Sequence, residues 1–257
     1  MLQQWRVMLA LFPYGGSQRK EITTWAASAA LWAARQPDIA NGLLFWDVDT
    51  TPITMGRNRA VQAAIHNEID ILVMLDSDQA PDIDKAHPFL PSAFEFIKSR
   101  WHSQPTIISA PYLTGAATYN PVMGRWRHYA EGLEVKASLY TREEAAEMRG
   151  IQPCPLQGTG LMALDMRVFT GFQVGEEVVK LPPPWFTYEF TDQYHSFLAS
   201  TEDMYFTRSL TTLFAKHGLD EIAFVDWDAW AYHVKPEFVG KPDIITIKNV
   251  APLCKGD

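Results

Sequence analysis

The sequence predicts an α/β protein in which a mostly parallel, Rossmann-like sheet carries helices on both faces. Three observations predict it. Apolar runs of strand length alternate with helix-period segments through the first 115 residues. Those runs are continuously apolar, as strands buried on both faces are. Several of them end in acidic pairs, where open α/β sheets present their ligands.

Taken in order, "WRVMLALF" (5–12) reads as a buried first strand, and "PYGGS" breaks it. "KEITTWAASAALWAARQ" follows as a helix. Its Ile22, Trp25, Ala26, Ala29 and Ala33 keep the i, i+3, i+4, i+7 spacing, and Pro37 stops it. "GLLFWDV" is the second strand. "GRNRAVQAAIHNE" is the second helix, with Val61, Ala64 and Ile65 on one face and Arg57 and Arg59 at its opening. "DILVML" is the third strand, "PSAFEFIKSRW" a further helix and "TIISAPYL" a further strand. Beyond residue 115 the rhythm loosens into short pieces, among them "GRWRHYA" and "TREEAAEMRG". "GTGLMALDMRVF" resumes strand character. A Pro- and aromatic-rich connection over 175–197 has the look of a binding loop. "STEDMYFTRSLTTLFAKHG" is a helix capped by Ser200 or Thr201 and stopped by Gly218. "EIAFVDWDAWAYHV" is a last strand, and a Pro-containing tail follows. One domain over 1–257 is expected, with a first half to about 115, a second over about 116–233 and a tail over 234–257.

With 47% hydrophobic and 20% charged residues the composition is that of a globular protein. The formal charge of −8 argues against gripping long nucleic acid, where phosphate neutralisation dominates affinity. The apolar run "VMLALF" is too short for a signal-peptide core or a membrane span, so a soluble, cytoplasmic protein is expected. Cys154 and Cys254, a hundred residues apart, are expected as reduced thiols.

The most informative stretch is "LVMLDSDQAP". In an extended strand Asp76 and Asp78 point to the same side and Ser77 to the other. Two carboxylates on one side repel, and a divalent cation neutralises them; oxygen ligands suit Mg²⁺ or Mn²⁺. Local capping of the turn "DQAPD" is the plainer alternative. Two further pairs compete: Asp47/Asp49 in "LLFWDVDTT" and Asp226/Asp228 in "AFVDWDAW". The first resembles the nucleophile motif of haloacid-dehalogenase-type phosphatases, with Asp226/Asp228 as the later pair, though no lysine stands at a convincing strand end between them.

The motifs "TPITMGRNRAVQAAI", "LVMLDSDQAP", "GTGLMAL", "STEDMYFTRSL" and "AYHVKP", in that order, resemble the GT-A-fold glycosyltransferases of the bacterial and phage, family-2-like type. The likeness runs from about Val7 to Lys235. It implies transfer of a sugar from a nucleotide sugar, a UDP-sugar by expectation, to a glycan, a small molecule or a modified nucleic-acid base. Carried onto this chain, it implies a Mn²⁺ (or Mg²⁺) site of Asp76, Asp78 and His233, the imidazole favouring Mn²⁺. Pro13, Tyr14, Asp49, Arg57, Asp76, Ser77 and Lys235 would hold the nucleotide sugar. Gly160, Trp185 and Glu202 would meet the acceptor. Asp203 is the expected base, with Glu202 contacting acceptor hydroxyls. In a first helical turn the same carboxylates also stabilise the helix dipole, which is their plain structural reading. A non-catalytic nucleotide-sugar or glycan binder is the remaining alternative.

Overall fold

The computed structural model describes residues 3–12, 20–48, 52–82, 85–113, 120–129, 133–190, 198–219, 221–234 and 238–239. The chain runs β1 (Trp5–Phe12), α1 (Lys20–Ala34), β2 (Ile39–Asp47), α2 (Ile53–His66), β3 (Ile71–Asp76), β4 (Gln79–Ala80), α3 (Phe89–Arg100) and β5 (Ile107–Ser109). It continues through β6 (Met123–Tyr129), β7 (Leu133–Leu139), α4 (Arg142–Glu147), β8 (Ile151–Pro153), β9 (Leu156–Gln157), β10 (Leu161–Asp165) and α5 (Arg167–Thr170). Then come β11 (Phe172–Val174), β12 (Glu177–Val179), β13 (Glu189–Phe190), β14 (Leu198–Ser200), α6 (Glu202–Ala215), β15 (Ala223–Asp226), β16 (Tyr232–Val234) and β17 (Phe238–Val239).

Seven strands form the central sheet in the order β2-β1-β3-β10-β5-β15-β8. Pairing is parallel for β2, β1 and β3 and for β5 with β15, while β10 and β8 run antiparallel to their neighbours. Five strands therefore point one way, and their carboxyl ends share one edge. The expected α/β class is the one observed. Alternate residues of β1 feed two cores, as the two-residue period requires. Val7, Leu9 and Leu11 pack with Ile22, Trp25 and Ala29 of α1 and with Phe94 and Ile97 of α3. Met8, Ala10 and Phe12 pack with Ala60, Val61 and Ala64 of α2 and with Phe206, Leu210 and Phe214 of α6. Each such buried Val, Leu, Ile, Met or Phe side chain contributes about 1.5–3 kcal/mol of transfer free energy.

Three elements differ from expectation. The second strand is the sheet's edge, so its Leu44, Phe45 and Trp46 stay 43%, 43% and 39% exposed. The second helix begins at Ile53 after Pro52, which puts Arg57 and Arg59 in its second turn rather than at its opening. Ile65 of that helix is 36% exposed, and Gly56, Arg57 and Ala60 share the buried face with Val61 and Ala64. The "last strand" is two strands. β15 ends at Asp226, whose carboxylate accepts the Asp228 N–H (3.2 Å) and whose carbonyl accepts the Ala229 N–H (3.1 Å). The chain turns there, and β16 leaves the central sheet to pair with β4 and β17.

Cys154 is buried and free, and burial pushes its thiol up to about 12, so it is inert at neutral pH. Cys254 lies outside the described residues. Among the described residues no helix is long and apolar enough to cross a membrane.

Candidate active site

The site gathers at the carboxyl edge of β3. The strand ends at Asp76, whose N–H donates to the Gly160 carbonyl (2.8 Å), while the Ser77 N–H donates to Phe12 (3.2 Å). Extended geometry stops there, so Asp76 and Asp78 do not share a direction as an unbroken strand would have them do. Asp76 turns to Arg57. The Nη2 of Arg57 donates to both carboxylate oxygens at 3.0 and 2.9 Å. Burial is the main influence on Asp76, pushing it up to about 6; Arg57 opposes the rise and Asp78 adds to it.

Asp78 turns the other way. Because β16 pairs with β4 in the register His233↔Gln79, the His233 imidazole arrives beside the residue preceding β4. Its Nε2 stands 2.9 Å from Asp78 Oδ2, and its Nδ1 is 3.0 Å from the Leu113 carbonyl. A carbonyl only accepts, so Nδ1 carries the hydrogen and Nε2 is left to share a proton with Asp78 or to offer a lone pair. Tyr112 braces the ring edge-on, with centroids 5.8 Å apart.

These two groups fit a small dication. Two ligands about 2.05 Å from one ion and at right angles stand about 2.9 Å apart, which is the observed separation. An Nδ1–H held by a backbone carbonyl is also the outer-shell arrangement of metal-binding histidines. Asp76, the third expected ligand, directs both of its oxygens to Arg57 in this arrangement. Among the described residues no group of three His, Cys, Asp or Glu side chains is assembled as a metal site.

Helix α6 delivers the opposite wall. Thr201, extended at φ −73°, ψ 165°, precedes it. Asp203 Oδ1 accepts from its neighbour's backbone, Met204 N–H (2.8 Å), and from the Thr201 hydroxyl, which fixes that carboxylate's orientation. Glu202 is 3.6 Å from Arg57 Nε. Burial raises Glu202 above its ordinary value, Asp203 adds to the rise and Arg57 opposes it. Two tyrosines complete this region: Tyr188, one of the aromatics of the Pro- and aromatic-rich connection, and Tyr112, which the sequence pattern does not single out. Burial, then Asp203 and Asp76, push the Tyr112 phenol well above its ordinary value, and the Gly160 N–H donates to it. Tyr188 is raised by burial and by Glu202. Nothing in the spacing of "SAPYL" marked Tyr112, because a buried aromatic in a strand reads as core.

Three expected contacts belong to the protein's own packing. Arg57 is 2% exposed, and its Nη donors go to Asp76 and the Thr159 carbonyl (3.1 Å). Trp185 is core: it packs edge-on against Phe169 at 5.4 Å, and its Nε1 donates to Leu181 (2.9 Å). A Cβ on Gly160 would lie 2.9 Å from both Gln79 Cγ and Tyr112 Cε1, so the glycine admits protein side chains rather than an acceptor. Asn58, beside Arg57, is a clamp. It accepts from Trp185 N–H (2.9 Å) and donates to the Phe186 carbonyl (2.7 Å), pinning the middle of the Pro- and aromatic-rich connection. Ser77 sits half-buried in the turn between Asp76 and Asp78. Pro13, Tyr14, Asp49 and Lys235 lie outside the described residues.

The second acidic pair is a turn device. Asp226 accepts from the Ser92 hydroxyl, and Asp228 accepts the Gly150 N–H at 3.0 Å. β2 and β15 are five strand spacings apart, about 24 Å at the usual interstrand distance. Asp47 and Asp226 therefore cannot meet on one phosphoester.

No protein-family model matches the chain, and no curated protein matches it. Among solved structures it is similar to A197 from STIV, with a TM-score of 0.51 and 16% identity over 92% of this chain and 90% of that one. That likeness is one of fold, and it agrees with the mostly parallel α/β sheet described above. More distant are HddC from Yersinia pseudotuberculosis complexed with GMP-PN (TM-score 0.29, 8% identity, 64% and 78% covered) and a Bacillus anthracis structure named as a glucose-1-phosphate thymidylyltransferase, in complex with a sucrose (TM-score 0.35, 10% identity, 90% and 89% covered). Neither carries weight for function.

Proposed function

We propose that the protein is a metal-dependent glycosyltransferase that moves a sugar from a nucleotide sugar, a UDP-sugar by preference, to a glycan, a small molecule or a modified nucleic-acid base. The observation that carries the reading is the meeting of Asp78 and His233 at 2.9 Å with Nδ1 tied to a backbone carbonyl. Asp78 and His233 would hold the ion, Mn²⁺ or Mg²⁺. Such ions take few protein ligands and leave their remaining positions to waters and substrate phosphates. When bound, the ion supplies Lewis-acid stabilisation of the departing diphosphate.

The residues of this chain do the rest. Asp203, oriented by Thr201 and the Met204 N–H, takes the acceptor hydroxyl's proton, and Glu202 receives the acceptor's neighbouring hydroxyls. The high Tyr112 phenol stays protonated and keeps the His233 wall neutral on that side.

UDP release from a panel of UDP-sugars, with and without Mn²⁺, tests this. Release is expected with Mn²⁺ and not with EDTA, and Asp78→Asn or His233→Ala lowers it about 100-fold, roughly the share one electrostatic contact to a leaving group supplies. Release that ignores Mn²⁺, or survives Asp78→Asn undiminished, rejects the proposal. Tight nucleotide-sugar binding with no release would instead identify a binder.

A further inference from the structure

We propose that Arg57 is a positioning residue that sets the donor-side and acceptor-side carboxylates from one buried guanidinium, without touching substrate. The inference rests on the transferase reading for its kinetic consequence, but its geometry stands apart from it.

Every edge of the guanidinium is directed at the protein. Nη2 holds both oxygens of Asp76, at 3.0 and 2.9 Å, and Nη1 donates to the Thr159 carbonyl at 3.1 Å. Nε points to Glu202 Oε1 at 3.6 Å, short of a hydrogen bond, and has no other partner. The Phe12 and Phe186 rings lie 5.3 and 5.9 Å from its centre, so aromatic side chains rather than solvent surround the cation. Asp76 comes from β3, Glu202 from α6 and Thr159 from the segment before β10. One side chain of α2 therefore joins three elements that the chain brings together only on folding.

The chemistry explains why this must be arginine. A guanidinium is a rigid fork whose donors point in fixed directions, so it can hold two carboxylates in a fixed mutual geometry. An ammonium is a point charge on a flexible stem and favours one partner at the expense of the other. Asp76 precedes the turn that presents Asp78, and Glu202 precedes Asp203. Fixing the first member of each pair fixes the frame from which the second works.

The test uses Arg57→Lys, Glu202→Gln and the double variant, with Arg57→Met as a second probe should Arg57→Lys fold poorly; folding is checked by thermal melting. In UDP-sugar turnover with Mn²⁺, Arg57→Lys is expected to lower kcat at least tenfold while the KM for donor stays within about threefold. Combined with Glu202→Gln, it is expected to cost no more than the worse single variant, as residues acting as one unit do. A donor KM that rises tenfold with kcat retained would make Arg57 a substrate contact and overturn the proposal. So would losses that multiply. A protein with no turnover at all still decides it: urea denaturation of the same set plus Asp76→Asn must show non-additive effects of Arg57→Lys with both carboxylate variants. Additivity with either one rejects the shared strut.

Discussion

Asp76 shows how one residue's surroundings set a measurable pH dependence. Its value in the folded protein is about 6 against an ordinary 3.8. Between those values the native state binds the proton and the unfolded chain does not. The contribution to stability is therefore fully present below about pH 4 and is lost as pH rises through about 6. The difference corresponds to on the order of 3 kcal/mol. In EDTA, urea denaturation of the wild type minus that of Asp76→Asn should trace this fall between pH 4 and 6; parallel curves would show that Arg57 already cancels the cost of burial. Residues of this kind are where the sequence misleads. A charged residue reads as solvent-facing or ligand-facing by default. Arg57 is neither, because its partners Asp76, Thr159 and Glu202 come from three other places in the chain. The Asp78–His233 meeting was legible only through the order of motifs, since no periodicity across a separation of 155 residues reports which strand pairs with β4.

Elements were legible where one period governs a whole segment. The five α1 positions chosen by helical spacing are the five that are buried, and β1 occupies the eight residues its apolar run marks. Legibility fails where an apolar run changes direction. Trp227, Ala229, Trp230 and Ala231 are buried in a turn, so "FVDWDAWAYHV" looks like one strand although the Asp226 carboxylate and carbonyl bend it. The Gly158–Gly160 segment makes the same point about glycine. A Cβ on Gly158 would stand 2.2 Å from the Tyr112 hydroxyl oxygen and 2.8 Å from Val122 Cγ1. Gly158→Ala should therefore destabilise by about 1–3 kcal/mol, the usual range for overpacking. Tyr112→Phe in the same chain removes the closest clashing atom, so the double variant should melt higher than the sum of the two single losses predicts. An additive double variant would mean that the segment shifts rather than collides. In either case the glycines serve the packing of Tyr112, which in turn braces His233.

At the scale of the molecule, the strand order constrains how the chain can be divided. The first 115 residues contain β1, β2, β3 and β5, and their alternating strands and helices suggest a self-sufficient nucleotide-binding half. Yet β3 and β5 are not neighbours. β10, contributed by residues 161–165, lies between them and pairs with both: Leu161–Asp165 against Leu75–Ile71, and Met162–Leu164 against Ser109–Ile107. Its side chains are buried throughout, Leu161 and Ala163 in one core, Met162 and Leu164 in the other. A chain stopping at residue 115 would leave the inner edges of β3 and β5 unpaired and both cores without their central strand. Unpaired backbone groups and an open apolar strand edge are costly and aggregation-prone. The fragment 1–115 is accordingly expected to show no cooperative urea transition and to bind no nucleotide sugar, whereas the 257-residue chain, with β10 closing both edges, is expected to show a cooperative one. The site follows the same logic, since Asp76 and Asp78 come from before the division and His233, Glu202 and Asp203 from after it. A cooperatively folded fragment would mean that β3 and β5 can close on each other directly. In that case β10 would be an inserted strand rather than the keystone of the sheet, and the pairing of Asp78 with His233 would depend on a later docking event.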